Sequence, residues 1–236
     1  MDLIKDSMDD VARECGVAVP SLWASNTDDT YQQLKMYMRQ TAGEMLDRID
    51  WQNCTLNQVI TGAATDTYAL NSDFKRPTRD PNTVYGNSPQ RWAFAPITTN
   101  GDWTQLQSWG ALSTYFYRFT GTDIQFSQTI NSPDEITLSY VTKNWINNGG
   151  ARAATWTADT DESYLPTSVL ELGVIWRWKR KMGLDYASIM GEYETELSRY
   201  AQDDRGQNSI SFNKTMPDRL ILPYDLTPPL LNNGIN

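Results

Sequence analysis

Apolar residues return every three or four positions at the start of the chain: Leu3, Ile4, Met8, Val11 and Ala12. That spacing predicts a short helix over residues 2–15, stopped at Gly16. A second stretch keeps the same period for longer. Tyr31, Leu34, Met38, Ala42, Met45 and Ile49 predict a helix from a cap at Thr27 or Asp28 to about Ile49, closed by Trp51.

From Cys54 the period shortens to two. TLNQVITGA, RWAFAPI, STYFYRFTG, TDIQFSQTI and EITLSYVTKNW read as strands, with Thr, Asn, Gly and Pro between them. Gly121-Thr122 predicts a hairpin and Pro133 a turn. Asp102 is placed to cap a short helical turn ending at Ser108. Helical spacing returns after Thr160. Pro166 suits a first turn, Thr167–Met182 is apolar over much of its circumference, and Gly183 ends it. Asp185 can cap a last helix to about Asp203.

Residues 205–236 hold no sustained period and contain Pro217, Pro223, Pro228 and Pro229. Such a segment cannot build its own core. Yet Phe212, Leu220, Ile221, Leu222, Tyr224 and Leu226 are too apolar for a solubility tail. The segment reads either as an extended arm awaiting another surface or as a strap packed on its own domain. The order predicts an α+β chain: an α-helical bundle of two N-terminal plus two C-terminal helices, with a β-rich insertion and an extended C-terminal arm. The boundaries are 1–53 for the first part of the bundle, 54–155 for the insertion, 156–204 for the second part and 205–236 for the arm.

Charge and composition narrow the chemistry. The chain carries 29 acidic and 20 basic residues, a formal net charge of -9, which disfavours bulk nucleic-acid binding. It has no histidine, so Ser-His-Asp and Cys-His catalysis are excluded within the chain. Cys15 and Cys54 stand far apart, so neither a zinc site nor a disulfide scaffold is expected, and no cofactor is implied. The opening MDLIKDSMDD lacks the basic start and apolar run of a signal peptide. The apolar stretch from Leu165 to Trp178 is too short for a membrane span. A soluble protein made in the cytoplasm is expected.

Two carboxylate clusters, Asp159-Asp161-Glu162 and Glu192-Glu194-Glu196, could in principle serve glycoside hydrolysis, and tryptophans stack on sugars. A carbohydrate-binding or glycan-cleaving protein using Trp92, Trp103, Trp109 and Trp145 is therefore the alternative to a structural role. A solvated helix face is the simpler reading of Glu192 and Glu196, and no enzyme is expected.

VIWRWKRKM, residues 174–182, interleaves tryptophans with cations. On a helical wheel Gly173, Arg177, Arg180 and Lys181 share one arc, opposite Leu172, Ile175, Trp178 and Met182. Trp178 is then the core candidate and Trp176 sits at the border. Lys179 falls among the apolar residues, where its stem can reach out to water. Arg177, Arg180 and Lys181 form a basic patch suited to acidic residues of a neighbouring copy or partner protein more than to nucleic acid.

Beyond these patterns lies a resemblance. DLIKDSMDDVARECGV, the linker ending SNTDD, the helix closing in DRIDWQ, EITLSYVTKNWI, the acidic DTDES and LELGVIWRWKRKMGLDYASIMGEYE look like the adaptor proteins that join head to tail in bacteriophages, of the tail tubular A type. The likeness runs through about residue 204, and its distinctive part is 170–194. It implies a structural virion protein at the head-tail interface, synthesised in the host cytoplasm. Such adaptors form a homo-oligomeric ring, typically of twelve copies, between the portal protein and the tail hub or nozzle. DNA passes through the ring's channel without specific binding, and no membrane is involved. The resemblance also implies a helical bundle with a β-rich insertion. In several relatives a C-terminal arm reaches the portal, which makes Phe212, Leu220, Ile221, Leu222, Tyr224 and Leu226 the candidate portal contacts.

Overall fold

The computed structural model describes residues 2–80, 83–86, 94–108 and 115–204. Helix α1 spans Ile4–Glu14 and buries Ile4, Met8, Val11 and Ala12, the stripe set by the helical period. It ends where Gly16 takes a φ of +68°, so that Val17 N–H reaches back to the Ala12 carbonyl at 2.8 Å. Helix α2, Asp29–Arg48, is capped by the Asp28 carboxylate, which accepts from Thr30 N–H at 2.9 Å. It buries Leu34, Met38, Thr41, Ala42, Met45 and Leu46. Trp51 folds under its end and donates from Nε1 to the Met45 carbonyl at 3.1 Å.

Two sheets then face one another. The first is built on β8 (Glu135–Thr142), which pairs along one edge with β1 (Thr55–Thr61). Along its other edge it pairs with β3 (Phe74–Pro77) and then β4 (Val84–Gly86). All three pairings are antiparallel. The second sheet runs β2 (Thr65–Ala69), β7 (Asp123–Ile130), β6 (Tyr115–Thr120), β5 (Phe94–Pro96), with β5 and β6 parallel. Alternation sends Ile60, Val84, Phe94, Tyr117, Ile124, Phe126, Ile136 and Leu138 into the space between the sheets, where they form one core. Gly121 turns the β6–β7 hairpin with a φ of +66°. Helix α3, Asn100–Ser108, joins β5 to the described end of β6 and buries Trp103 and Leu106.

A third sheet is small: β10 (Ala151–Ala153), β9 (Ile146–Asn148), β11 (Glu162–Ser163). It is tied to the chain start. Leu3 bridges Glu162, and Ile4 N–H donates to the Asp161 carbonyl at 3.0 Å. Helices α4 (Thr167–Lys181) and α5 (Ala187–Asp204) complete the order.

The expected four-helix bundle with one β-rich insertion is not what forms. The described residues hold five helices and eleven strands in three sheets, with the helices distributed among them. The reason lies in what covers each apolar face. Helix α4 buries Val169, Leu170, Gly173, Val174, Ile175, Trp176 and Trp178, and it takes α1, α2 and α5 as separate neighbours. Residues from the β-rich stretch complete the helical core: Val141 of β8, Trp145 in the link after it, and Ile146 of β9 sit among Leu34, Met38, Val169 and Leu170. The third sheet runs from Ile146 to Ser163 and so joins what the sequence reading divided at residue 155. Periodicity identifies a buried face but not the element that buries it.

Candidate docking surface at the α4–α5 turn

Helix α4 is held by one close approach and one charge network. Gly173 packs directly on Thr41 of α2, where a side chain would not fit. Four residues on, Arg177 Nη1 donates to Thr41 Oγ1 at 2.9 Å and to the Gly173 carbonyl at 2.8 Å. Its Nη2 pairs with Glu44 Oε2. Glu44 also pairs with Arg48 at 3.0 Å, and Arg48 meets Glu194 of α5 in a two-pronged contact of 2.8 and 2.6 Å. The chain Arg177–Glu44–Arg48–Glu194 therefore links α4, α2 and α5. Hydrogen bonding to Arg48 holds the Glu194 carboxyl below its ordinary range.

The structure thus divides the basic patch proposed from the wheel. Arg177 points to α2, its side chain only 11% exposed, with its guanidinium 4.3 Å from the Trp176 ring centre. Arg180 and Lys181 are exposed, and Lys181 Nζ lies 5.6 Å over the Trp178 ring. Lys179 reaches Glu14 of α1 at 2.9 Å. Trp178 and Trp176 are both buried; Trp176 packs between Tyr186 and Tyr193. The border position of Trp176 on the wheel is covered by α5, a contact no local pattern reports.

At the end of α4 the chain turns sharply. Gly183 takes a φ of +72°, which lets Leu184 N–H bond back to the Lys179 carbonyl at 2.9 Å. The Asp185 carboxylate then accepts from Ala187 N–H at 3.1 Å and starts α5. Met182, Leu184, Tyr186 and Met190 emerge on this corner with 55, 56, 36 and 39% of their surface exposed. Arg180 and Lys181 flank them. An exposed apolar cluster beside unburied cations, on a corner braced by buried tryptophans, is the composition of a protein-contact surface. Sequence reading placed Met182 on the apolar side of its helix and did not single out Leu184. The signal it passed over was apolar residues on both sides of a glycine turn, where no face exists to bury them.

The other candidate residues sit elsewhere. Asp159 accepts from the backbone of Trp23 and Ala24, Asp161 from Thr157 and Ala158, and Glu162 from Asn147. Glu196 pairs with Arg199 at 2.5 Å on one turn of α5. Each carboxylate of the first cluster is occupied in holding a loop or strand. Trp103 and Trp145 are 2 and 4% exposed and offer no open face for stacking on a sugar. Trp92 and Trp109 lie outside the described residues, as do Phe212, Leu220, Ile221, Leu222, Tyr224 and Leu226. Among the described residues no group of three or more Cys, Asp or Glu side chains is arranged to hold a metal ion, and no helix is long and apolar enough to cross a membrane. No known family model matches the chain, and no curated protein matches it.

Proposed function

We propose that this chain is a structural adaptor of a bacteriophage virion, a subunit of a ring of twelve copies that joins the portal to the tail hub or nozzle and extends the channel for DNA. The observation that carries the reading is a coincidence of place. The distinctive segment of the resemblance, residues 170–194, is also the segment whose turn exposes Met182, Leu184, Tyr186 and Met190 beside Arg180 and Lys181. A ring subunit needs such a surface on a rigid support, and the network through Arg177, Glu44, Arg48 and Glu194 supplies the rigidity. The formal charge of -9 suits a channel in which a polyanion finds no lasting counterion.

The test is co-assembly. The purified chain is mixed with the portal protein of the same phage and imaged. The expected outcome is a ring of this chain beneath the portal, with Leu184→Asp and Tyr186→Asp folding normally but failing to join it. No association with the portal under any salt condition would sink the proposal.

A further inference from the structure

Helices α4 and α5 run antiparallel: Ser168 Oγ donates to Tyr200 Oη at 3.2 Å, and Trp176 packs on Tyr186 and Tyr193. The exposed corner of Arg180, Lys181, Met182 and Leu184 therefore stands at one end of the pair. At the other end, where α4 begins and α5 finishes, a cavity of about 290 Å³ opens. Its walls include Tyr164, Pro166 and Tyr200, each half-buried, and its charged groups are Asp2, Asp203 and Asp204. Asp2 accepts from Thr167 Oγ1 at 3.0 Å and Asp204 from Gln52 N–H at 2.8 Å. Arg199 is 3.8 Å from Asp203 but 2.5 Å from Glu196. Among the described residues, then, none of the three carboxylates makes a tight ion pair. Arg152 lies over the Tyr164 ring at 4.1 Å but outside the lining. The corner has the opposite sign. Its own acids are engaged locally, Glu14 with Lys179 and Asp185 with Ala187 N–H, which leaves Arg180 and Lys181 in surplus beside Met182 and Leu184.

We propose that the α4–α5 corner of one chain docks in this cavity of a second copy, with Met182 and Leu184 against Tyr164, Pro166 and Tyr200, and with Arg180 and Lys181 facing Asp2, Asp203 and Asp204. Three observations select this occupant. The two surfaces are opposite in charge, and each charge stands in excess on its own side. Each surface sets apolar groups beside its charges, as the centre and rim of a protein contact require. The two also lie at opposite ends of α4, whose 15 residues span about 22 Å, so a chain does not reach its own cavity. That separation fixes the kind of contact. A knob and a cavity on opposite ends make a heterologous, head-to-tail interface, in which every copy is satisfied only when the ring closes. The inference rests on the ring reading above and names the surface that the corner meets; it does not depend on the portal.

Disulfide trapping between full-length chains tests it. Leu184→Cys and Asp203→Cys are prepared separately, one of them tagged, then mixed and mildly oxidised. Cys15 and Cys54 compete poorly, since burial raises the two thiols to about 11 and about 12. The expected product is a disulfide between the two variants, formed at least about tenfold faster than either variant dimerises alone, because docking holds the two thiols together. Reversing the corner with Arg180→Glu and Lys181→Glu on the Leu184→Cys chain should cut the yield by about tenfold, and Asp2→Lys on the Asp203→Cys chain should restore part of it. Trapping no faster than between like variants, no disulfide, or a yield indifferent to the reversals would overturn the proposal. So would slow maleimide labelling of the thiol at position 203 in the dilute chain, which reports a cavity already covered from within. The portal experiment fails separately: trapping without portal binding removes the adaptor reading and keeps this contact, and portal binding without trapping does the reverse.

Discussion

Gly173 of α4 lies so close to Thr41 of α2 that a Cβ added to the glycine would strike Thr41 Cγ2, and would stand 2.8 Å from Thr41 Oγ1. Contact with the side chain of a neighbouring helix requires a glycine here, in the middle of a helix where glycine otherwise costs about 1 kcal/mol relative to alanine. Gly173→Ala recovers that propensity but overpacks the interface, which costs roughly 1–3 kcal/mol. A net loss of up to about 2 kcal/mol is expected in denaturant unfolding. Combining it with Thr41→Ala removes the atoms in the way, so the double variant should be more stable than the two single losses predict by about 1 kcal/mol.

Arg177 and Arg180 stand three residues apart and are expected to behave differently. Arg177→Ala removes the bonds to Thr41 and the Gly173 carbonyl and leaves Glu44 with Arg48 alone, so a loss of roughly 3 kcal/mol is expected. Arg180→Ala changes an exposed side chain and should stay within about 0.5 kcal/mol of the parent. Trp178→Ala opens the core and should cost about 3–5 kcal/mol. Thermal and urea unfolding of the three variants side by side give the order.

Two glutamates should respond to pH with opposite signs. The folded protein holds the Glu194 carboxyl below its ordinary value of 4.5, chiefly through the hydrogen bond from Arg48. Its contribution is present above that value and is lost as the pH falls through the lower, folded value. Glu194→Gln should therefore lower the melting temperature at pH 7 and lose its effect in strong acid. Burial raises the Glu171 carboxyl above 4.5, with Asp10 and Asp2 adding repulsion and a bond from Ser7 opposing. That group favours the fold below its ordinary value and ceases to as the pH rises through the folded one. Glu171→Gln should raise the melting temperature at pH 7 and leave it unchanged near pH 4. Melting curves of both variants across that range check the two signs.

The thiols offer a measure of core integrity. Burial pushes Cys15 up to about 11 and Cys54 up to about 12, so neither is a thiolate at pH 8. Alkylation of the folded chain at pH 8 should be far slower than in urea, and slower at Cys54, which is fully buried, than at half-buried Cys15. Peptide-resolved mass spectrometry after timed quenching reads both sites.

The α4 segment shows how far local reading reached. The wheel brought Gly173 and Arg177 to one face and Trp178 to the other, and the structure puts Gly173 and Arg177 against α2 with Trp178 in the core. The wheel had no means of separating Arg177 from Arg180, because an arc of a helix names no neighbour. The strands divide in the same way. β1, β6, β7 and β8 have the length and alternation that mark a strand. β3, β9, β10 and β11 have two to four residues each and take their strand form from the partner they pair with.

Sequence by itself determined the ends of α1, α2 and α4 and the start of α5, because caps, left-handed glycines and the 3.6-residue period act within a few residues of one another; α3 departs from its expected cap, since it begins at Asn100 with Asp102 inside its first turn. Asp28, Gly16, Gly183 and Asp185 all stand at those boundaries in the folded chain. Tertiary structure alone decided what each apolar face meets. It set α4 at the centre of three helices, brought Trp145 and Ile146 into the helical core, and left Met182, Leu184, Tyr186 and Met190 uncovered. Burial depends on residues more than a hundred positions apart, and apolar pattern records that a face is sticky without recording what it sticks to.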